Sequence, residues 1–235
     1  MKKLFILLSA FSILFSACNN KCVQDIGVQS TKEMSLKPFD QIDVQGAIKL
    51  ILLQDSTYKA SIQADSNFVD YVKAQVSNNK LKLSVDREYC GSDSVVVRVG
   101  IGELKKLTAS GSVQVLSESK LVLNDLDISL SGSNKIWLDL SAGKLSTTAD
   151  GVAEINLSGQ AGNHTVNTKG TASLEAFNFV VGVYDIDIDG VGKAKINVLN
   201  ELKVETSGSS EVYYKGNPKK VDEKKSGATK LEKVN

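Results

Sequence analysis

Three aspartates alternate along one short stretch, Asp185, Asp187 and Asp189. In an extended strand residues two apart share a face. The three carboxylates would then line up as oxygen ligands of the kind Ca²⁺ takes, a weak candidate metal site. The same row reads equally as a solvated acidic face that keeps a strand from sticking to others. Thiolate and imidazole metal sites lack ligands, because the chain has one histidine, His164, and no CxxC pair. No cofactor is expected.

Two aromatic residues offer a different chemistry. Trp137 is the only tryptophan, and it stands between Ile136 and Leu138. If those two point inward, Trp137 points out. Tyr213 is outward by the same parity. Rings presented this way are candidates for partner contact, through sugar stacking or a protein surface. Catalysis has little support. Polysaccharide cleavage needs a base or paired carboxylates in a groove, often beside a cation. The only arginines are Arg87 and Arg98, and His164 falls in an inward column. No catalytic residue is assigned, and the chain is read as a non-enzyme.

The element that must position these residues is a repeat over residues 103–216. Its mark is a column of glycines, Gly111, Gly132, Gly151, Gly170, Gly190 and Gly208, spaced by 21, 19, 19, 20 and 18 residues. Two, four and six residues before each glycine, and four and six after it, the chain is mostly apolar, β-branched or aromatic. Ser, Thr, Asn, Asp, Glu and Lys fill the positions between. Period-two alternation predicts strands with one buried face. A second column eight residues before each glycine holds Asn124, Gly143, Gly162, Gly182 and Asn200. Gly and Asn tolerate positive φ, so this column predicts a repeated left-handed corner.

The period of about 18–21 residues fits the coil of a single-stranded parallel β-helix, or β-solenoid, within an all-β fold. Residues 39–53 show the same strand–Gly–strand shape around Gly46. Residues 54–100 interrupt the repeat and are expected to act as a β-rich cap over its end. Within them Asn78-Asn79 predicts a hairpin turn. Residues 217–234 continue the count faintly through Gly227, as a degraded last coil rich in Lys and Glu.

The chain opens with Met1-Lys2-Lys3, an apolar run over residues 4–15 and Ser16-Ala17-Cys18. This predicts a signal peptide over residues 1–17. Phe15-Ser16-Ala17-Cys18 resembles a bacterial lipobox, which makes Cys18 the lipidation site and places the protein at the outer membrane of the cell envelope. Residues 18–37 read as a lipid-anchored tether. No run of acids follows Cys18 directly, which slightly favours the periplasmic face. Removing residues 1–17 takes two lysines from a net charge of +1, leaving −1. That charge gives no basis for nucleic-acid binding. In an oxidising compartment Cys22 and Cys90 are candidates for a disulfide, although spacing alone does not bring them together.

The opening Phe39-Asp40-x-Ile42-x-Val44-x-Gly46, the serial Ser-Gly and Asp-Gly coils and the closing Tyr214-Lys215-Gly216-Asn217-Pro218 resemble the GIN-type head domain of auto-transporter adhesins. That family is abundant in lipoproteins of Bacteroidetes-type bacteria. The resemblance covers residues 38–234 and rests on structural turns. It implies a β-solenoid head domain on a cell-envelope lipoprotein that binds a glycan or an envelope or host protein, or serves as a structural envelope module. The alternative is an envelope polysaccharide-active β-helix enzyme.

Overall fold

The computed structural model describes residues 22–91 and 94–235. Among these residues the fold is all-β, with one 3-10 turn at Val69–Tyr71. Eleven of its strands are short or of moderate length: β1 (Gln29–Ser35), β2 (Gln41–Gly46), β3 (Ile48–Gln54), β4 (Lys59–Asp65), β5 (Val72–Ser77), β6 (Lys80–Val85), β7 (Val95–Ile101), β8 (Lys106–Gly111), β9 (Gln114–Ser117), β10 (Leu121–Val122) and β12 (Lys220–Lys233). The remaining one, β11 (Asp125–Lys215), is extended over 91 residues. All belong to one 12-stranded mixed sheet.

Drawn out straight, β11 would reach roughly 300 Å at 3.3 Å per residue. It turns back on itself instead. Its start pairs in parallel with β8, Gly132 opposite Gly111, and its end pairs in parallel with β12, Gly208 opposite Gly227. Between these ends the glycines stack. A Cβ built on Gly170 would lie 2.5 Å from the carbonyl oxygen of Gly151, and one on Gly151 would press equally on Gly132. The column glycines all have positive φ, from +91° to +125° between Gly132 and Gly208. Each level therefore needs a residue without a side chain here, for its left-handed backbone and for the carbonyl beneath.

The alternation becomes burial. Ile128, Leu130, Ile136 and Leu138 are buried on one level, Leu145, Ile155 and Leu157 on the next, and Val166, Leu174 and Ala176 on the one after. Each such side chain contributes about 1.5–3 kcal/mol of burial before conformational entropy opposes it.

Three features differ from the sequence expectations. First, part of the tether is not a tether: residues 29–35 form β1, which pairs antiparallel with β4 from Gln29↔Asp65 to Ser35↔Lys59. Second, the interruption at residues 54–100 does more than cap. Its β6 lies parallel to β2 and its β7 parallel to β3, so the two build a further level beneath the first. The antiparallel strands β5, β4 and β1 close that end, which is why the sheet is mixed. Asn78 and Asn79, both at positive φ, make the two-residue turn between β5 and β6. Third, the second punctuation column is not left-handed. Among its members Gly143, Gly162 and Gly182 have ordinary φ, yet a Cβ on Gly162 would lie 2.7 Å from the Gly143 carbonyl oxygen. At these three glycines close passage over the level beneath, not backbone handedness, leaves no room for a side chain, whereas Asn124 and Asn200 carry one at the two ends of the column.

At the other end β12 lies in register on β11, and its inward positions carry Glu223 and Lys225. These two form an ion pair of 2.6 Å over the last apolar level. Charge at an exposed final strand discourages pairing with other chains.

Candidate ligand-binding face

Five residues after each column glycine the chain points outward. From Gly132 to Gly208 this position holds Trp137, Asn156, Glu175, Lys195 and Tyr213. The ion pair between Glu175 and Lys195, at 2.9 Å, ties two adjacent levels of that ladder. The next outward column holds Asp139, Ser158, Phe177, Asn197 and Lys215. Inward neighbours on either side fix both columns: Ile136 and Leu138 are buried beside Trp137, and Ala176 beside Phe177.

Between the two columns lies a groove of about 490 Å³. Trp137, Phe177, Asp139, Asn156, Ser158, Glu175 and Asn178 line it. Trp137 and Phe177 are half-buried and two levels apart, or about 9.6 Å along the stacking direction. Lys135 lies 6.0 Å from the centre of the Trp137 ring and Lys215 lies 4.7 Å from that of Phe177. Such a groove offers two apolar ring faces and a row of amide, hydroxyl and carboxylate groups between them. It can stack on a flat ring and hydrogen-bond its edges.

Tyr213 shares the Trp137 column but not its groove. Four levels separate the two, about 19 Å. The Tyr213 ring lies between Lys193 and Lys230, 5.4 and 5.1 Å from its centre, and its hydroxyl donates to Glu211 at 3.2 Å. The hydrogen bond from Lys193, then that from Tyr213, hold the Glu211 carboxyl below the usual range. Phe177 was not singled out from the sequence. The parity that turned Trp137 outward turns Phe177 outward too, and that signal was available.

The aspartate row meets lysines. Lys203 lies 3.2 Å from Asp185 and 3.4 Å from Glu205, and Lys224 lies 2.9 Å from Glu205. The Lys224 hydrogen bond and the Lys203 charge hold the Glu205 carboxyl low. Asp189 accepts from the Ser207 hydroxyl at 2.7 Å. Among the described residues no three His, Cys, Asp or Glu side chains converge as a metal site. The arrangement is one of paired charges along a wet face.

His164 is fully buried, with Nε2 3.0 Å from Thr147 Oγ1. Its ring packs on Tyr184 and edge-on to Phe179. Burial pushes its pKa down to about 3, so it is neutral and out of reach of a substrate. Arg87 lies over the Tyr71 ring at 5.4 Å, and Arg98 sits on β7, away from the groove.

Cys22 and Cys90 form a disulfide with Cα atoms 5.6 Å apart. Val23 bridges to Tyr89 beside it. Cys18 and the signal-peptide stretch lie outside the described residues. No helix among the described residues is long and apolar enough to cross a membrane.

A family model described as "Putative auto-transporter adhesin, head GIN domain" matches residues 38–218. No curated protein matches the chain. Among solved structures, a "putative adhesin" from Bacteroides fragilis NCTC 9343 aligns with a TM-score of 0.86 at 22% identity, over 90% of this chain and 100% of that one. A "putative adhesin" from Parabacteroides merdae ATCC 43184 gives 0.71 at 23%, over 91% and 99%. A "Putative lipid binding protein" from Parabacteroides distasonis ATCC 8503 gives 0.70 at 21%, over 92% and 100%. At these identities the likeness is one of fold.

Proposed function

The chain belongs to the auto-transporter adhesin head GIN domain family, and from that premise we propose that it is a non-catalytic envelope lipoprotein whose head is a parallel β-solenoid that binds glycan. The solenoid reading is supported by parallel registers offset by 21 and 19 residues and by the glycine stack between them. The anchor is the lipidated Cys18 that follows a cleaved signal peptide, at the outer membrane with the periplasmic face favoured.

The observation that carries the binding reading is the Trp137–Phe177 groove. Its rings are spaced along the stack as every second sugar of an extended chain would be, and Asn156 and Ser158 lie on the level between them. Asp139 and Glu175 line the groove, but Lys195 pairs with Glu175 at 2.9 Å, and Lys135 and Lys215 stand over the two rings. Charges of both signs near balance favour neutral or N-acetylated sugars over uronates and sulfated chains. The enzyme alternative draws no support from this groove, whose carboxylates are not joined by a buried histidine or an arginine.

A glycan array probed with the purified head tests the reading. Retention on neutral or N-acetylated oligosaccharides, lost in Trp137→Ala and in Phe177→Ala at unchanged melting temperature, is the expected outcome. Retention only on polyanionic glycans, or binding that survives both substitutions, contradicts it.

A further inference from the structure

The stretch that follows the lipobox is fastened to the head almost from its first described residue. Cys22 is bonded to Cys90. The Val23 amide donates to Glu88 O at 2.9 Å, and Val23 O accepts from the Cys90 amide at 3.0 Å. Gln24 O accepts from Asn67 Nδ2 at 2.8 Å, and the Ile26 amide donates to buried Asp65 at 3.1 Å. Val28 O accepts from the Ser66 amide at 2.7 Å, and β1 then pairs with β4 over all seven of its residues.

Between Cys18 and Cys22 there remain residues 19–21. Four residue steps reach at most about 14 Å. A lipid on Cys18 therefore cannot leave this end of the head far from the bilayer. Next to the fastening, Ile26 and Val28 are each 57% exposed, large apolar side chains left uncovered by the described residues. Among the described residues at this end, Lys32 is paired with Asp70 at 2.8 Å and Lys73 with Asp86 at 3.7 Å, and Arg87 lies over Tyr71. The surface suits apolar contact more than attraction to anionic headgroups.

We propose that the Ile26–Val28 surface, beside the Cys22–Cys90 disulfide, rests in the lipid interface, so that the head stands on the membrane by its β1–β4 end with the β12 end directed away. This rests on the lipid-anchor reading above. It adds a protein contact to that of the acyl chains, through apolar side chains buried in the interface.

Depth-dependent quenching tests it. The full chain is produced in a host that processes lipoproteins, and the mass of its first peptide reports acylation. The protein is placed in phosphatidylethanolamine–phosphatidylglycerol vesicles with or without brominated acyl chains. In a Trp137→Phe background a single tryptophan is put at Ile26, at Val28 or at Tyr213. Insertion by about 5–10 Å should lower fluorescence at 26 and 28 at least about twofold in brominated vesicles, with no change at 213. Acylated, vesicle-bound protein in which 26 and 28 are quenched no more than 213 overturns the proposal and leaves the anchor standing. Unacylated protein that does not float with vesicles overturns both.

Discussion

Thr147 Oγ1 and His164 Nε2 lie 3.0 Å apart inside the stack, with neither side chain reaching solvent. The pair fills polar positions in two inward columns whose other members are mostly apolar, and burial holds His164 in the neutral form. The folded pKa of about 3 stands below the unfolded 6.5. Below pH 6.5 the unfolded chain therefore binds a proton that the folded chain refuses. Stability should fall by about 1.4 kcal/mol for each pH unit from roughly 6.5 towards 3. His164 is the only histidine, so the slope between pH 6.5 and 5, above the carboxylate range, belongs to it. Denaturant melts across that window check this. The double variant Thr147→Val/His164→Leu should flatten the slope.

The inward and outward assignment is tested by neighbours. Ile155 is buried at 1% exposure while Asn156 is half-exposed. Ile155→Asp places a carboxylate among apolar side chains and should cost about 4 kcal/mol or more, lowering Tm by roughly 10 °C. Asn156→Asp should shift Tm by no more than a degree or two, about 0.5 kcal/mol. Equal shifts would mean the strand is turned the other way.

The two glycine columns should respond to alanine in a fixed order. Gly151 has φ of +117° and faces the Gly132 carbonyl. Gly143 has ordinary φ, and a Cβ there would lie 2.9 Å from Asn124 O. Gly151→Ala suffers both strain and clash, Gly143→Ala clash alone. Thermal melts should show the first costing about 1 kcal/mol more than the second.

Breaking the disulfide should loosen the head without dissolving it. Cys22 and Cys90 are 68 residues apart. A loop of that length contributes about 4 kcal/mol in the chain-entropy account. Urea midpoints with and without reductant, or for Cys22→Ser/Cys90→Ser, give the number. The β8–β12 stack, which the disulfide does not touch, should keep its circular dichroism in the reduced protein.

The columns of the repeat were legible because each inward position recurs at a fixed distance from a glycine, and the buried residues Leu126, Leu145, Tyr184 and Leu202 stand where that count puts them. The level formed by β6 and β7 was not legible, for a physical reason. Each column glycine is needed because its Cβ would strike the level beneath it, and this lowest level has none beneath. Val85 therefore occupies the glycine's place, its side chain 3.6 Å from a Cβ built on Gly46, and the punctuation disappears. The β1 strand was hidden because its sequence Gln-Ser-Thr-Lys-Glu-Met-Ser has one apolar residue, Met34, and so no alternation to read, as fits an outermost strand with little to bury. Trp137 and Tyr213 share an outward column, as parity predicts, but stand four levels apart. Parity gives the face a residue occupies, whereas the groove depends on which levels bring side chains together, and that placed Phe177 beside Trp137.

Trp137 is the only tryptophan in the chain, so its own emission reports on the proposed groove. Titrating the head with neutral or N-acetylated oligosaccharides while following that emission tests the central claim most directly. The account predicts a saturable change in intensity or wavelength, abolished by Phe177→Ala and absent with a polyuronate. A ligand that binds the head by calorimetry yet leaves the Trp137 emission unchanged would contradict it.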